Sequence, residues 1–425
     1  MTSRRRGHVL LAAVLALGTC QLVAVAQAGA APAPQAAQRP ARHVFSTAAA
    51  SFRGAVTPEQ RATRLEAAAA GLPRLTQVYN VPALWNNGIT GAGSTVAAID
   101  SYGDPDIKKV IDTYDQAHNL PPADISILAP AGAVPGCTDQ GVDTATCESW
   151  RGETDLDVLM IHIMAPAAHI IIAATPVAET EGFTGLPEMM YAIDYLREHK
   201  LADVISMSLG ATEETFPSFG SIKVLDPALT RANNAGITIV TSTGDQGATS
   251  PVLTGDGLYP YRVVQWPASD PRVTAVGGTV LHLDANYHRT SPDTLWPDSG
   301  GGLSKAYARP SWQNGVAKIT GSSMRSLPDL TMEGISGTSE SAPLFAGVLA
   351  LAVQLHHGPL GQINPALYRM GPRGTEAGIV DVTTGDNSYG GVTGYTASKG
   401  FDVVSGWGTI DAARFVPALV DTLRH

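Results

Sequence analysis

Along this chain, short apolar runs alternate with segments whose apolar positions recur every three or four residues. "STVAAID" (94–100), "ADISILAP" (123–130), "AHIIIAATP" (168–176), "ADVISMSLG" (202–210) and "ITIVTSTGD" (237–245) have the length and apolar content of strands. Between them lie "DIKKVIDTYDQAHNL" (106–120), "GETDLDVLMIHIMAP" (152–166), "LPEMMYAIDYLREHK" (186–200) and "LDPALTRANNAG" (225–236), all of helical period. Apolar strands separated by amphipathic helices predict an α/β fold, a parallel sheet with helices on both faces. Ligands of such sheets gather at the carboxyl ends of strands, and Asp100, Gly210 and Asp245 fall at such ends. Residues 252–315 are looser, rich in Gly, Pro and Trp, with short strands such as "RVTAVGGTVL". A long apolar helix follows Ser339, and then comes "NPALYRM" and a glycine-rich tail with several aspartates. There is no internal repeat, and residues 75–425 read as a single domain.

The N-terminal pattern is different. Arg4, Arg5 and Arg6 precede the apolar "VLLAAVLALG", and Ala26, Ala28 and Ala30 offer cleavage sites, so residues 1–30 read as a signal peptide. The arginines also suit a twin-arginine signal, and "LGTC" allows lipid attachment at Cys20, although Thr19 is atypical there. Residues 31–74 read as a linker or short prosegment, with one helix over "TPEQRATRLEAAAA" capped by Thr57. No later apolar run reaches about 18–20 uninterrupted residues, so no second membrane span is expected. The expectation is a secreted, extracellular monomer.

Composition narrows the class. The 425 residues are 44% hydrophobic and 16% charged, enough for a large core and unlike a disordered chain. With 44 glycines and 6% aromatics, the chain suits a loop-rich α/β protein and neither a coiled coil nor collagen. A net charge of -10, without a dense Lys/Arg face, argues against nucleic acid and is compatible with work at low pH. Beyond Cys20 only Cys137 and Cys147 remain. In an exported chain, cysteines so close together are expected to pair, the alternative being two free thiols.

Three short stretches carry candidate chemistry. Glu153 and Asp157 lie four apart and share a helix face. Like charges held together near apolar residues bind protons more tightly, which turns a carboxylate into a usable acid or base. The alternative is a solvated acidic helix start favoured by the helix dipole. In "VTSTGDQG", Asp245 ends a strand between Gly244 and Gln246. A carboxyl placed there stabilises an oxyanion when it is protonated and donates; alternatively it caps its own turn. In "SGTSESAP", Ser339 sits before a helix whose first amides carry positive potential. Its hydroxyl attacks a carbonyl if a base takes its proton; alternatively it is an N-cap.

Taken together, "YNVPALWNNGITGAGSTVAAIDSYGDPD", "ETDLD", "STGDQG", "SGGGLS" and "SGTSESAP" resemble the sedolisin family of serine-carboxyl peptidases, from about Tyr79 to the C-terminus. The resemblance implies a subtilisin-like fold in which glutamate replaces the usual histidine. It implies Ser339 as nucleophile, Glu153 as general base and then acid, Asp157 as the residue that orients Glu153, and Asp245 as oxyanion donor. A carboxylate base and a neutral aspartic donor coexist only in acid, so the family's acid optimum follows. The resemblance further implies one structural Ca²⁺ near the C-terminus, held by the side chains of Asp381 and Asp402 and the carbonyls of Val382, Ser398 and Gly400. Oxygen-only ligation of this kind suits Ca²⁺. The family pattern usually has glycine where Ser398 stands, a change that a carbonyl ligand tolerates. It also includes a long folded prodomain, whereas only about 40 residues separate the predicted signal from the domain. The implied activity is an endopeptidase acting on proteins or peptides; a tripeptidyl-peptidase of the same family and a secreted, non-catalytic binding module are the alternatives.

Other hydrolase readings fare worse. An ordinary subtilisin needs a histidine in an "HGTH" setting, and none is present. His162 lies five residues past Asp157, which rotates it off the carboxylate face and makes it a packing residue. His169 and Ser299 mimic chymotrypsin motifs, but that fold is all-β, and "AAHIII" reads as the opening of a buried strand. The absence of G-x-S-x-G argues against an α/β-hydrolase elbow.

Overall fold

The computed structural model describes residues 72–425. The signal peptide, Cys20, the helix expected over 57–70 and most of the linker therefore lie outside the described residues.

Seven strands form a parallel ladder: β1 (Thr95–Ser101), β2 (Asp124–Leu128), β3 (His169–Thr175), β4 (Val204–Met207), β5 (Thr238–Ser242), β6 (Thr274–Val280) and, after the edge strand β7 (Thr294–Leu295), β8 (Leu330–Glu333). Their order is β8-β6-β5-β4-β1-β3-β2, with β7 antiparallel beside β6. The strands read from the sequence match β1 to β6 with trimmed ends. Every pairing on that path is parallel, so the strand ends that carry Asp100, Ser208 and Asp245 emerge at one edge.

Alternate residues of a strand point to opposite faces. Val96, Ile170, Ile172, Val204 and Val240 join one apolar cluster, while Ala97, Ile99, Ile171, Ala173, Ile205 and Ile239 join the other. The first face is covered by α2 (Ile107–His118), α3 (Thr144–Met164) and, later in the chain, α6 (Thr338–His356), α7 (Asn364–Met370) and α8 (Ala412–Arg424). The second is covered by α4 (Leu186–Glu198) and α5 (Asp226–Asn234). A short helix α1 (Leu72–Val78) leads into the domain.

Two elements depart from the sequence reading. Helix α3 begins at Thr144, eight residues before Gly152, because the Asp143 side chain accepts from the Thr146 amide at 2.8 Å and caps it. The tail is not only loop. It ends in α8, where Phe415, Val416, Leu419 and Val420 are buried and Asp411 caps the start. Among the described residues, α6 alone is long and apolar enough to cross a membrane, and Thr338 to Val353 are all buried inside the domain.

Helices α3 and α6 touch closely at Gly347. A Cβ there would lie 2.7 Å from Met164 Cβ and 3.0 Å from the Ile161 carbonyl oxygen. The contact is backbone against backbone, so a larger residue must part the two helices.

The interior also holds carboxyl groups. Burial pushes Glu181 up to about 8 despite donors from the Thr212 amide and the Thr212 and Thr215 hydroxyls. Burial raises Asp270 to about 6, opposed by Arg272 and reinforced by Asp226. Folded-state values above the ordinary 3.8 and 4.5 mean that the native state holds these protons more tightly than the unfolded chain. The resulting stability is complete below the ordinary carboxylate range and is lost as pH rises through about 6 and about 8. Thermal melts are therefore expected to show Tm falling by roughly 5–10 °C between pH 4 and pH 8; a Tm that rises over that window overturns the assignment. In a denaturant titration Gly347→Leu is expected to destabilise the fold by about 1–3 kcal/mol through overpacking, read as a lower midpoint.

Candidate active site

Several separate stretches of chain bound one cleft at the carboxyl edge of the sheet. Glu153 projects from the middle of α3, Ser208 to Gly210 continue β4, and the residues after β5 carry Gly244 and Asp245. Thr338 and Ser339 in the first turn of α6 complete the wall, with Gln265 beside them. Glu153, Asp245 and Ser339 line this cleft together, although 92 to 186 positions separate them in sequence.

Asp157 is fully buried and does not line the cleft. It accepts from Ser208 Oγ at 2.7 Å, and the same hydroxyl lies 3.4 Å from the Ser339 carbonyl oxygen. Burial pushes the Asp157 carboxyl well above the usual range, and the neighbouring charges of Asp100 and Glu153 push it further, against the hydrogen bond from Ser208. Asp100, at the end of β1, is raised to about 7 by burial, with an opposing hydrogen bond from Thr154. Three carboxyl groups thus face one another in an apolar interior where they cannot all be ionised. The sequence marked Asp100 only as a strand-end acid. Its partnership with Asp157 was hidden because helix and strand meet only after folding.

Asp245 Oδ1 accepts twice from Thr338, from its amide at 2.8 Å and from its hydroxyl at 2.8 Å. The Gly244 amide donates to the same hydroxyl at 3.1 Å. Oδ1 of this carboxyl is thus already occupied as an acceptor. Gly244 has φ 99, and a Cβ there would lie 2.6 Å from Gln265 Oε1, so this turn requires glycine. Behind it runs "SGGGLS". The Gly300 amide donates to the Gly244 carbonyl at 2.8 Å, and a Cβ on Gly300 would meet the Thr243 carbonyl oxygen at 2.0 Å.

Glu153 sits nine residues inside α3 and is 3% exposed, so it is no solvated helix start. Asp245 binds another segment rather than capping its own turn. Ser339 lies within the first turn of α6 rather than before it, and the N-cap is Gly337 at φ 101, so Ser339 is not the cap. No histidine lines the cleft. His162 is buried against Asp115 Oδ1 at 3.2 Å and the Pro121 carbonyl at 3.1 Å, and His169 opens β3 beside Ser126 Oγ at 3.0 Å. Ser299 accepts from the Gly278 amide at 2.8 Å. Sequence reasoning missed Ser208, Gln265 and Thr338, polar residues in ordinary surroundings whose roles depend on which chain ends meet. Cys137 and Cys147 form a disulfide that ties the preceding loop to α3.

In the tail, the segments 381–382 and 398–402 come together. The Gly400 amide donates to Asp381 Oδ2 at 2.8 Å, the Ser398 amide donates to Asp402 Oδ2 at 2.7 Å, and Ser405 Oγ lies 3.3 Å from the Val382 carbonyl. Asp381 Oδ1 is buried without a hydrogen-bond partner. Among the described residues no group of three or more His, Cys, Asp or Glu gathers as a metal site. Two carboxylates with backbone carbonyls fall below that count, and the orphaned oxygen with an all-oxygen donor set fits a hard cation.

Residues 144–370 match the family model described as Peptidase_S8, the subtilase family. Kumamolisin from Bacillus sp. (strain MN-32) is 28% identical over 374 residues, 81% of this chain and 63% of that protein. Sedolisin from Pseudomonas sp. (strain 101) is 30% identical over 299 residues, 64% of this chain and 50% of that protein. Tripeptidyl-peptidase 1 from Homo sapiens is 31% identical over 274 residues, 56% and 46% respectively. The chain thus spans between about half and two thirds of the length of these relatives. Among solved structures, Pseudomonas sedolisin, a serine-carboxyl proteinase complexed with two molecules of pseudo-iodotyrostatin, superposes with a TM-score of 0.65 at 26% identity, covering 77% of this chain and 92% of that one. The chain belongs to the subtilase family, with the subtilisin-like fold of its sedolisin members.

Proposed function

We propose that the chain is a secreted serine-carboxyl endopeptidase that works in acid. The reading is carried by one observation: Glu153, Asp245 and Ser339 line a single cleft, with Asp157 buried directly behind. A peptide lies across the carboxyl edge of the sheet. Glu153 accepts the Ser339 proton as Oγ bonds to the scissile carbonyl carbon, and the carbonyl oxygen takes up the electron pair. Asp245, protonated, donates to that oxygen. Collapse of the intermediate breaks the C–N bond while Glu153 returns its proton to the leaving amine. Water then attacks the acyl-enzyme by the same route, with Glu153 again as base, and frees Ser339. Asp157, hydrogen-bonded to Ser208, orients Glu153. The buried acids favour a low working pH, because the pathway needs one carboxyl ionised and its neighbours neutral.

One Ca²⁺ is assigned to the tail. Asp381 and Asp402 would supply carboxylates, and Val382, Ser398 and Gly400 carbonyls. The ion would neutralise the two acids and clamp the tail segments.

Ser339→Ala is expected to abolish hydrolysis of casein at pH 3–5, and unchanged hydrolysis removes Ser339 from the reaction. Product sizes from the same digests assign endopeptidase against tripeptide-releasing action. Asp245→Ala is expected to lower kcat by roughly 10²–10³, as for other oxyanion donors, measured with a synthetic peptide at saturation. Stripping Ca²⁺ with chelator is expected to lower Tm; a melt indifferent to chelator and to added Ca²⁺ rejects the tail site.

A further inference from the structure

A second charged cluster lies under the nucleophile and plays no part in the scheme above. Arg74, from α1, pairs through Nη1 with Glu333 Oε1 at the end of β8, and both residues are buried. Glu333 opens the loop that leads to Ser339. Its amide donates to Tyr79 Oη at 2.6 Å, and its carbonyl accepts from Ser341 Oγ at 2.7 Å. Glu340, the residue after Ser339, is wholly buried, and its Oε2 accepts from the Ser336 amide at 3.1 Å. The loop is thus closed from both sides of Ser339 by carboxyl groups, one on each arm. Arg74 is the cation whose field acts on both. Nearby, Asp293 adds negative charge and is itself paired with Arg289.

We propose that Arg74 is a positioning residue for Ser339: it ties the domain's first helix to the nucleophile loop and balances the charge of Glu333 and Glu340, which bracket that loop. This rests on the peptidase reading above. In acid, Glu340 is neutral, since burial and the Glu333 charge hold its proton well above the ordinary range. Glu333 is also raised by burial but is opposed by Arg74, so of the two carboxyl groups it is the one held against the guanidinium. As pH rises, Glu340 releases its proton and two anions share one guanidinium beneath Ser339. Arg74 Nε and Nη2, Glu333 Oε2 and Glu340 Oε1 make no hydrogen bonds. Excess charge there is unscreened, and the loop must open to hydrate it.

The test is a pH–rate profile of the full chain on a synthetic peptide, with Ser339→Ala as the control. Arg74 favours the ionised forms of Glu333 and Glu340, so Arg74→Met is expected to move the alkaline limb of kcat to higher pH by about one unit, with KM within about twofold of the parent. Arg74→Lys is expected to keep the limb near the parent's, and Glu340→Gln added to Arg74→Met is expected to give the same limb as Glu340→Gln alone. If Arg74→Met does not fold, Glu340→Gln alone decides: its alkaline limb is expected at higher pH than the parent's. A loss of rate uniform across pH, or a limb unmoved in both variants, overturns the assignment and leaves a merely structural ion pair. Turnover that persists in Ser339→Ala instead fails the peptidase reading, a result separate from the limb positions.

Discussion

The organising constraint is the burial of acids against one another without a cationic side chain among them. Asp100, Asp157 and Glu153 meet where a strand end faces a helix interior, and no histidine or lysine lines the cleft they serve. Carboxyl groups so placed must share protons, because ionising every member in a low-dielectric interior costs far more than the helix and sheet can offset. Other features follow from holding that set together. The parallel sheet brings three strand ends to one edge, and α3 and α6, which meet closely at Gly347, bring Glu153 and Ser339 to the same cleft. Gly244 and Gly300 let two backbones pass where no side chain fits.

Much of the fold was legible because its signal is local. Strands buried on both faces read as apolar runs, and the helices between them keep a clear period. The start of α3 was missed because its first two turns, "TATCESWR", are polar, and the cap at Asp143 is a single side-chain contact. The last helix was missed because glycines and aspartates in the preceding tail masked an amphipathic stretch containing Pro417.

The site divides along the same line. Glu153 and Asp157 advertise themselves by spacing, and Ser339 and Asp245 by their glycine-rich settings. Ser208, Thr338 and Gln265 carry no such mark, being ordinary polar residues until distant chain ends meet. Arg74 belongs with them. Its partner is 259 positions away, and an arginine near a polar linker reads as a solvated charge.

Ser208 has one proton to give and two oxygens within reach, 2.7 Å away on Asp157 and 3.4 Å away on the Ser339 main chain. An ionised acid outcompetes an amide carbonyl for that donor, whereas a neutral acid pulls more weakly. The hydroxyl therefore couples the titration state of Asp157, a group sealed from solvent, to the main chain of Ser339.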